Sequence, residues 1–298
     1  MHDGQVSVDI TTVRRLIAAQ FPHLRHLPVE RVPSSGTVST IFRLGTELSI
    51  RFPLLGTDPE EVELTLQKEA GAMQEFAEFC PFATPRPLAI GKPAYGYPLP
   101  WTLQTWVPGD VATPEGHASS SQLAADVSRL IQSLRTAPVA GRSFSGAGRG
   151  GNLKDHDAWV DICLSKSARI FDVRRLASLW ADFRQLPAPK DLAMCHKDLI
   201  PANLIIHQQH LVGVLDAGGF GPADPSLDLV AAWHLFDQDR REWIRVSLNA
   251  TPEEWKRGAA WAFEQSLGLG WYYESSNPEM SHLGTSTLRR ILEASVRM

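Results

Sequence analysis

The sequence predicts a two-lobed α+β protein, with a β-rich N-terminal lobe over 1–107 and a mainly helical lobe over 108–298. Three observations predict it. Residues 30–56 alternate apolar and polar side chains with a period of two, broken by Gly and Ser turns. A second extended stretch, "PRPLAIGKPAYGYPLPWTLQTWVPGD", ends at a Pro108-Gly109 joint. Beyond that joint the apolar spacing is helical, apart from a short hairpin with polar ends, "HKDLIPANLIIHQQHLVGVLDAGG", from His196 to Gly219.

Between the two extended stretches, Asp58-Pro59 supplies an N-cap and a proline at the first helical position. The helix this starts, over 59–79, puts Val62, Leu66, Met73 and Phe76 on one face. Glu69 falls on the same face, an inward carboxylate that requires a partner. In the second lobe "SSSQLAADVSRLIQSLRTA", "DHDAWVDICLSKSARIF" and "VRRLASLWADFRQL" read as three helices. Gly-rich "GRSFSGAGRGGN" (141–152) reads as a surface loop between the first two. After the hairpin, Asp224-Pro225 opens a helix through Phe236, Thr251-Pro-Glu-Glu254 forms a capping box, and Asn277-Pro278 starts the last helix.

Bulk properties exclude several classes. Basic and acidic residues number 29 and 33, a net charge of −4, which offers no electrostatic footprint for nucleic acid or an anionic membrane. Three widely spaced cysteines, Cys80, Cys163 and Cys195, argue against a disulfide framework and fit a reducing cytoplasm. The N-terminus lacks the apolar core of a signal peptide, and no 18-residue apolar run occurs. A soluble cytoplasmic protein, monomeric or homodimeric, is expected.

The polar hairpin ends carry the chemistry. Two buried strands fix Asn203 before the first and Asp216 after the second, so that an amide oxygen and a carboxylate can face one ion. Hard oxygens of this kind, completed by phosphate and water, suit Mg²⁺. Asp198, on the entering loop, can accept a proton from a hydroxyl. Metal on a nucleotide and a base at the acceptor are what phosphoryl transfer needs.

His196-Lys-Asp198-x₄-Asn203, followed by Gly213-Val-Leu-Asp216-Ala-Gly218 and "GPADPSLDLVAAWHLF", resembles the aminoglycoside phosphotransferase family of kinase-like enzymes. "GTVSTIFRLGTELSIRFP", "KEAGAM", "YPLPWTLQTWVPGD" and "WYYESSNPEM" extend the resemblance over most of residues 30–290. It implies a protein-kinase-like fold and a reaction using ATP or GTP with Mg²⁺ to phosphorylate a small-molecule hydroxyl, an aminoglycoside-type antibiotic being preferred. By position, Asp198 would be the catalytic base, and Asn203 and Asp216 would hold Mg²⁺. His196 and Asp228 would brace the catalytic loop. Arg51 would grip the nucleotide phosphates, paired with Glu69. Ser35 and Gly36 would lie in the phosphate-cradling turn, and Gln104, Trp106 and Val107 would meet the base edge. Two departures stand out: Lys197 replaces a usual glycine, and Arg51 a usual lysine, exchanging a point charge for a fork. Ala217 to Ala223 leave no room for a long activation loop, which favours a small-molecule kinase over a regulated protein kinase.

Plainer readings compete. Asp224 and Asp228 are also ordinary helix-start acids, His207 and His210 flank what reads as a solvated turn, and the nine tryptophans are mostly core. Cys195 beside His196 points to the opposite face of an extended segment, against a Cys-His nucleophile. For a cationic acceptor the sequence offers Asp157, Asp161 and Glu264, interleaved with basic residues and forming no clean acidic patch. A kinase of a macrolide, choline, homoserine or sugar-like metabolite, and an idle nucleotide-binding module, remain as rival readings.

Overall fold

The computed structural model describes residues 6–33, 39–146 and 148–295. The chain divides into two compact units, Met1–Glu78 with Ala83–Pro108 and Asp216–Gly218, and Phe79–Phe82 with Gly109–Leu215 and Gly219–Met298.

The first unit opens with α1 (Ile10–Gln20), a helix unforeseen from the sequence. Its signals are nevertheless in the chain. The Asp9 carboxylate accepts the Thr12 N–H at 2.7 Å, and Val13, Leu16 and Ile17 turn inward at helical spacing. β1 (Val29–Arg31), β2 (Ser39–Leu44), β3 (Leu48–Pro53), β4 (Pro87–Gly91) and β5 (Trp101–Thr105) form one antiparallel sheet in the order β1-β2-β3-β5-β4. Between β3 and β4 runs α2 (Pro59–Phe79), which buries Leu66, Met73 and Phe76. Alternation along β3 sends Ile50 and Phe52 into the core and Arg51 to the other face. Phe52 anchors that core, its ring 5.8, 5.0 and 5.3 Å from those of Phe42, Tyr97 and Trp101.

The second unit is mainly helical. After β6 (Asp110–Val111) come α3 (Ser121–Leu134), α4 (Asp157–Ser167) and α5 (Val173–Phe183), inside the three segments that read as helices. β7 (Ala193–Cys195), β8 (Leu204–His207), β9 (His210–Val214) and β10 (Gly221–Ala223) follow. β8 and β9 make the expected hairpin, β6 extends it to three strands, and β7 pairs with β10. The chain ends in α6 (Val230–Leu235), α7 (Gln238–Ser247), α8 (Pro252–Tyr272) and α9 (Pro278–Ala294). α8 is the spine of the unit, buried without a break from Arg257 to Gly268.

Two boundaries differ from expectation. Asp224 does not open a helix: it is wholly buried, and Oδ2 accepts Arg257 Nε–H and Trp261 Nε1–H at 3.0 Å each. A carboxylate tied to two α8 donors anchors the chain there, and a 3₁₀ turn, Leu227–Leu229, precedes α6. The helix α7 was also unforeseen; Asp237 caps it by accepting the Arg240 N–H at 3.0 Å. Among the described residues, no helix is long and apolar enough to cross a membrane.

Candidate active site

β7 delivers the chain into a loop held by a buried acid. Asp228 accepts the His196 N–H on Oδ2 and the Lys197 N–H on Oδ1, both at 2.9 Å. Burial pushes the Asp228 pKa up, opposed by His196 and these two N–H donors. Lys197 sits at φ +74°, a left-handed conformation that costs a lysine about 1 kcal/mol relative to glycine. That geometry explains why glycine suits the position, and the Asp228 bond to its N–H helps hold the residue there. His196 is buried. Its Nε2 lies 2.8 Å from the Leu215 carbonyl and so carries the proton, which leaves Nδ1 to accept the Asp198 N–H at 3.3 Å. Cys195 is buried too, its thiol pushed well up by that burial, and is no nucleophile.

Three donors surround the Asp198 carboxylate. Asn203 Nδ2 bridges the Asp198 carbonyl at 2.8 Å and Oδ2 at 3.1 Å. Gln265 Nε2, from α8, donates to Oδ1 at 2.9 Å, and Arg149 Nη2 to the same oxygen at 3.3 Å. Gln265 is itself set by a buried chain: its Oε1 lies 3.1 Å from His234 Nε2, and His234 Nδ1 lies 2.9 Å from the Thr287 hydroxyl. With the Asn203 amide nitrogen turned to Asp198, its carbonyl oxygen is directed elsewhere. The Leu215 N–H closes the hairpin onto the Asn203 main-chain carbonyl at 2.8 Å, so the residue facing Asn203 is the immediate neighbour of Asp216.

In the first unit, Arg51 Nη1 donates to Asp216 Oδ1 at 2.9 Å, with Asp216 at φ +60°. The Arg51–Glu69 pair expected from the sequence is absent at ion-pair distance; Asp216 has the guanidinium instead. Glu69 is exposed as a whole residue on α2, but its carboxyl end is crowded by protein. Its stem runs along Gly218, where an added Cβ would lie 3.1 Å from Glu69 Cβ and Cγ. Protein around the carboxyl raises the Glu69 pKa, with Arg51 opposing the rise and Asp216 adding to it. Gln104 is buried in β5 and paired with Ser49 and Pro87 on either side. The Trp106 N–H is donated to the Glu47 carbonyl at 2.7 Å, and Val107 is buried.

Residues 29–261 match the family model described as the phosphotransferase enzyme family. The chain belongs to that family. No curated protein matches this phosphotransferase family member in sequence. Among solved structures, it is similar to aminoglycoside 2'-phosphotransferase-IIIa in its GDP complex, with 16% identity and a TM-score of 0.73 over 97% of this chain and 100% of that one. It is also similar to the macrolide 2'-phosphotransferase MphH from Brachybacterium faecium, with 16% identity and a TM-score of 0.62 over 94% and 97% of the two chains. The streptomycin–ATP–APH(2")-IIa ternary complex matches with 16% identity and a TM-score of 0.60 over 97% and 98%. At these identities the likeness is one of fold, and it bears out the kinase-like α+β class.

The acids expected to meet an acceptor are scattered. Asp157 accepts Trp180 Nε1–H at 2.9 Å and is clamped by Arg184, whose hydrogen bonds hold its pKa below the ordinary carboxylate range. Asp161 is exposed one turn further along α4. Glu264 alone joins the Asp198 group: it is buried, with Oε1 2.9 Å from His156 Nδ1 and Oε2 3.9 Å from Arg149 Nη1. Ser35 and Gly36 lie outside the described residues. The sequence reading missed Arg149 and Gln265. Arg149 sits in the Gly-rich segment that reads as a surface loop, and Gln265 is a buried amide between the buried Glu264 and Ser266 of α8, a polar run that could have flagged it.

Proposed function

We propose that this family member transfers the γ-phosphoryl group of ATP or GTP to a hydroxyl of a small molecule. The observation that supports this best is the Asn203 bridge to Asp198. One amide holds a carboxylate that has room to take a proton, and the same residue closes the hairpin leading to Asp216.

In this reading Asp198 orients the acceptor hydroxyl and takes its proton as the phosphorus–oxygen bond forms. Gln265, Arg149 and Asn203 fix the carboxylate in advance of substrate. His196 and Asp228 set the loop backbone rather than touching substrate. Arg51 and Glu69 attend the phosphates, as the sequence also expects of Ser35 and Gly36, and the Gln104–Val107 segment attends the base. Residues 1–107 thus serve the nucleotide, and 108–298 carry the catalytic loop, the metal site and the acceptor site.

The donor chemistry fits Mg²⁺. Asn203 and Asp216 offer hard oxygens, and among the described residues no cluster of three His, Cys, Asp or Glu side chains could hold an ion alone. The remaining ligands would be phosphate and water, as Mg²⁺ prefers. Bound there, the ion would neutralise charge building on the phosphates.

An aminoglycoside-type antibiotic is the first acceptor to test, and its phosphorylation would confer resistance on a cytoplasmic host. A second reading, another small hydroxyl compound, is favoured by the pairing of Asp157 and Glu264 with Arg184, His156 and Arg149. The test is nucleotide-diphosphate release with aminoglycosides, macrolides, choline, homoserine and sugars, in the wild type and in Asp198→Ala. Asp198→Ala should bind MgATP or MgGTP normally and lose turnover by roughly 10²- to 10⁴-fold. Undiminished turnover would remove Asp198 from the base role.

A further inference from the structure

Beside the Asp198 carboxylate stands a cation that no family motif in the sequence announced. Arg149 Nη2 lies 3.3 Å from Asp198 Oδ1, and Nη1 lies 3.9 Å from Glu264 Oε2. Glu264 is buried, and its Oε2 has no hydrogen-bond partner, so the guanidinium is the charge that balances that oxygen. Arg149 Nε is also buried without a hydrogen bond, which leaves the two terminal nitrogens to do the holding.

The position of Arg149 is built into the backbone. Its neighbour Gly150 is buried and gives its carbonyl to the Asp224 N–H at 2.8 Å. Asp224 is the acid locked to Arg257 and Trp261 of α8, the helix that also carries Glu264 and Gln265. Gly150 sits at φ +113°, and a Cβ there would come within 2.8 Å of Ala223 Cβ. One helix therefore ties down the anchor for Arg149, supplies Glu264 opposite it, and supplies Gln265, which shares Asp198 Oδ1 with it.

The charges around the hydroxyl-accepting oxygen follow. Asp198 and Arg149 keep 38% and 28% of their side-chain surface, whereas Glu264 keeps 5%. An acceptor approaching Asp198 meets one carboxylate and one guanidinium, not a pair of open acids. Resting on the phosphotransfer reading above, we propose that Arg149 positions Asp198 and selects the acceptor. Its charge offsets one of the two carboxylates there, Asp198 and Glu264, so the site takes compounds that are neutral around that hydroxyl and lacks the excess acid that several ammonium groups would need.

The test uses the full chain and its Arg149→Ala, Arg149→Lys and Arg149→Glu variants, with thermal midpoints measured alongside. Basal nucleotide hydrolysis and phosphorylation of glucose, glucosamine, glucuronate and kanamycin are followed by diphosphate release. Arg149→Ala should lower basal kcat by about tenfold at unchanged nucleotide KM, and Arg149→Lys should restore part of it. Wild type should favour glucose over kanamycin, and Arg149→Glu should move that preference by about tenfold or more towards the ammonium compounds. Equal basal kcat in all variants, an unmoved charge preference, or a wild type that favours the ammonium compounds overturns the role of Arg149. A wild type that releases no diphosphate, basally or with any acceptor, or an Asp198→Ala protein as active as wild type, instead defeats the phosphotransfer reading.

Discussion

Arg51 holds Asp216 through a 2.9 Å hydrogen bond, so the residue expected to grip phosphate is bonded to the residue expected to grip metal. Nucleotide and Mg²⁺ would have to divide that pair between them. Arg51→Ala should raise nucleotide KM by roughly 10- to 100-fold, the loss of one or two charge-assisted hydrogen bonds. Stability should barely move, because the pair is partly exposed and such bridges contribute at most about 1 kcal/mol. Nucleotide titration and thermal melts read the two effects apart; a lowered melting point with unchanged KM would count against a phosphate role.

Asn203 serves two neighbours, and two substitutions separate them. Asn203→Asp keeps a hard oxygen but loses the amide donors to Asp198, so kcat should fall by roughly tenfold or more while Mg²⁺ dependence stays close to wild type. Asn203→Ala removes both, and the Mg²⁺ concentration for half-maximal rate should rise by about tenfold as well. An unchanged Mg²⁺ requirement in Asn203→Ala would take this residue out of the metal site.

The Thr287–His234–Gln265 chain makes stability pH-dependent. Burial lowers the His234 pKa to about 4 from an ordinary 6.5. Between those values the unfolded chain binds a proton that the folded chain refuses, so stability is complete above pH 6.5 and falls as pH drops towards 4. The full difference is about 3 kcal/mol. Urea unfolding across that range should show this slope, and His234→Gln should flatten it. Parallel slopes in the two proteins would mean that other groups carry the acid sensitivity.

Asp157 joins α4 to α5 through Trp180 and Arg184. Asp157→Asn should therefore cost up to about 1 kcal/mol of stability and leave acceptor KM unchanged. A selective rise in KM for cationic acceptors would return this residue to the acceptor site.

How much of this was legible in the sequence depends on the range of the interactions involved. The hairpin from Leu204 to Val214 declares itself by local apolar runs, and the Asp198–Asn203 spacing by its motif. Asp224 reads as a helix cap because its neighbour Pro225 is a local cue, whereas its partners Arg257 and Trp261 lie more than thirty positions downstream. Glu69 was placed inward by periodicity, yet the contact that matters to it is with Gly218, far along the chain. Arg149 lay hidden for the same reason. Glycines on both sides of it announce a loop, and nothing nearby announces that Gly150 is pinned to the residue before Pro225.

That pinning fixes one end of the segment, and the room for side chains differs along it. A Cβ at Gly146 or Gly148 would meet nothing within 4 Å, whereas Gly150 and Gly151 have neighbours at 2.8 and 2.7 Å. Libraries meant to broaden what the protein modifies should diversify Ser145 and keep Gly146 and Gly148, whose φ of +79° and +68° favours glycine despite the open space. They should leave 150–152 untouched, since changes there would dislodge the arginine whose aim they are intended to exploit.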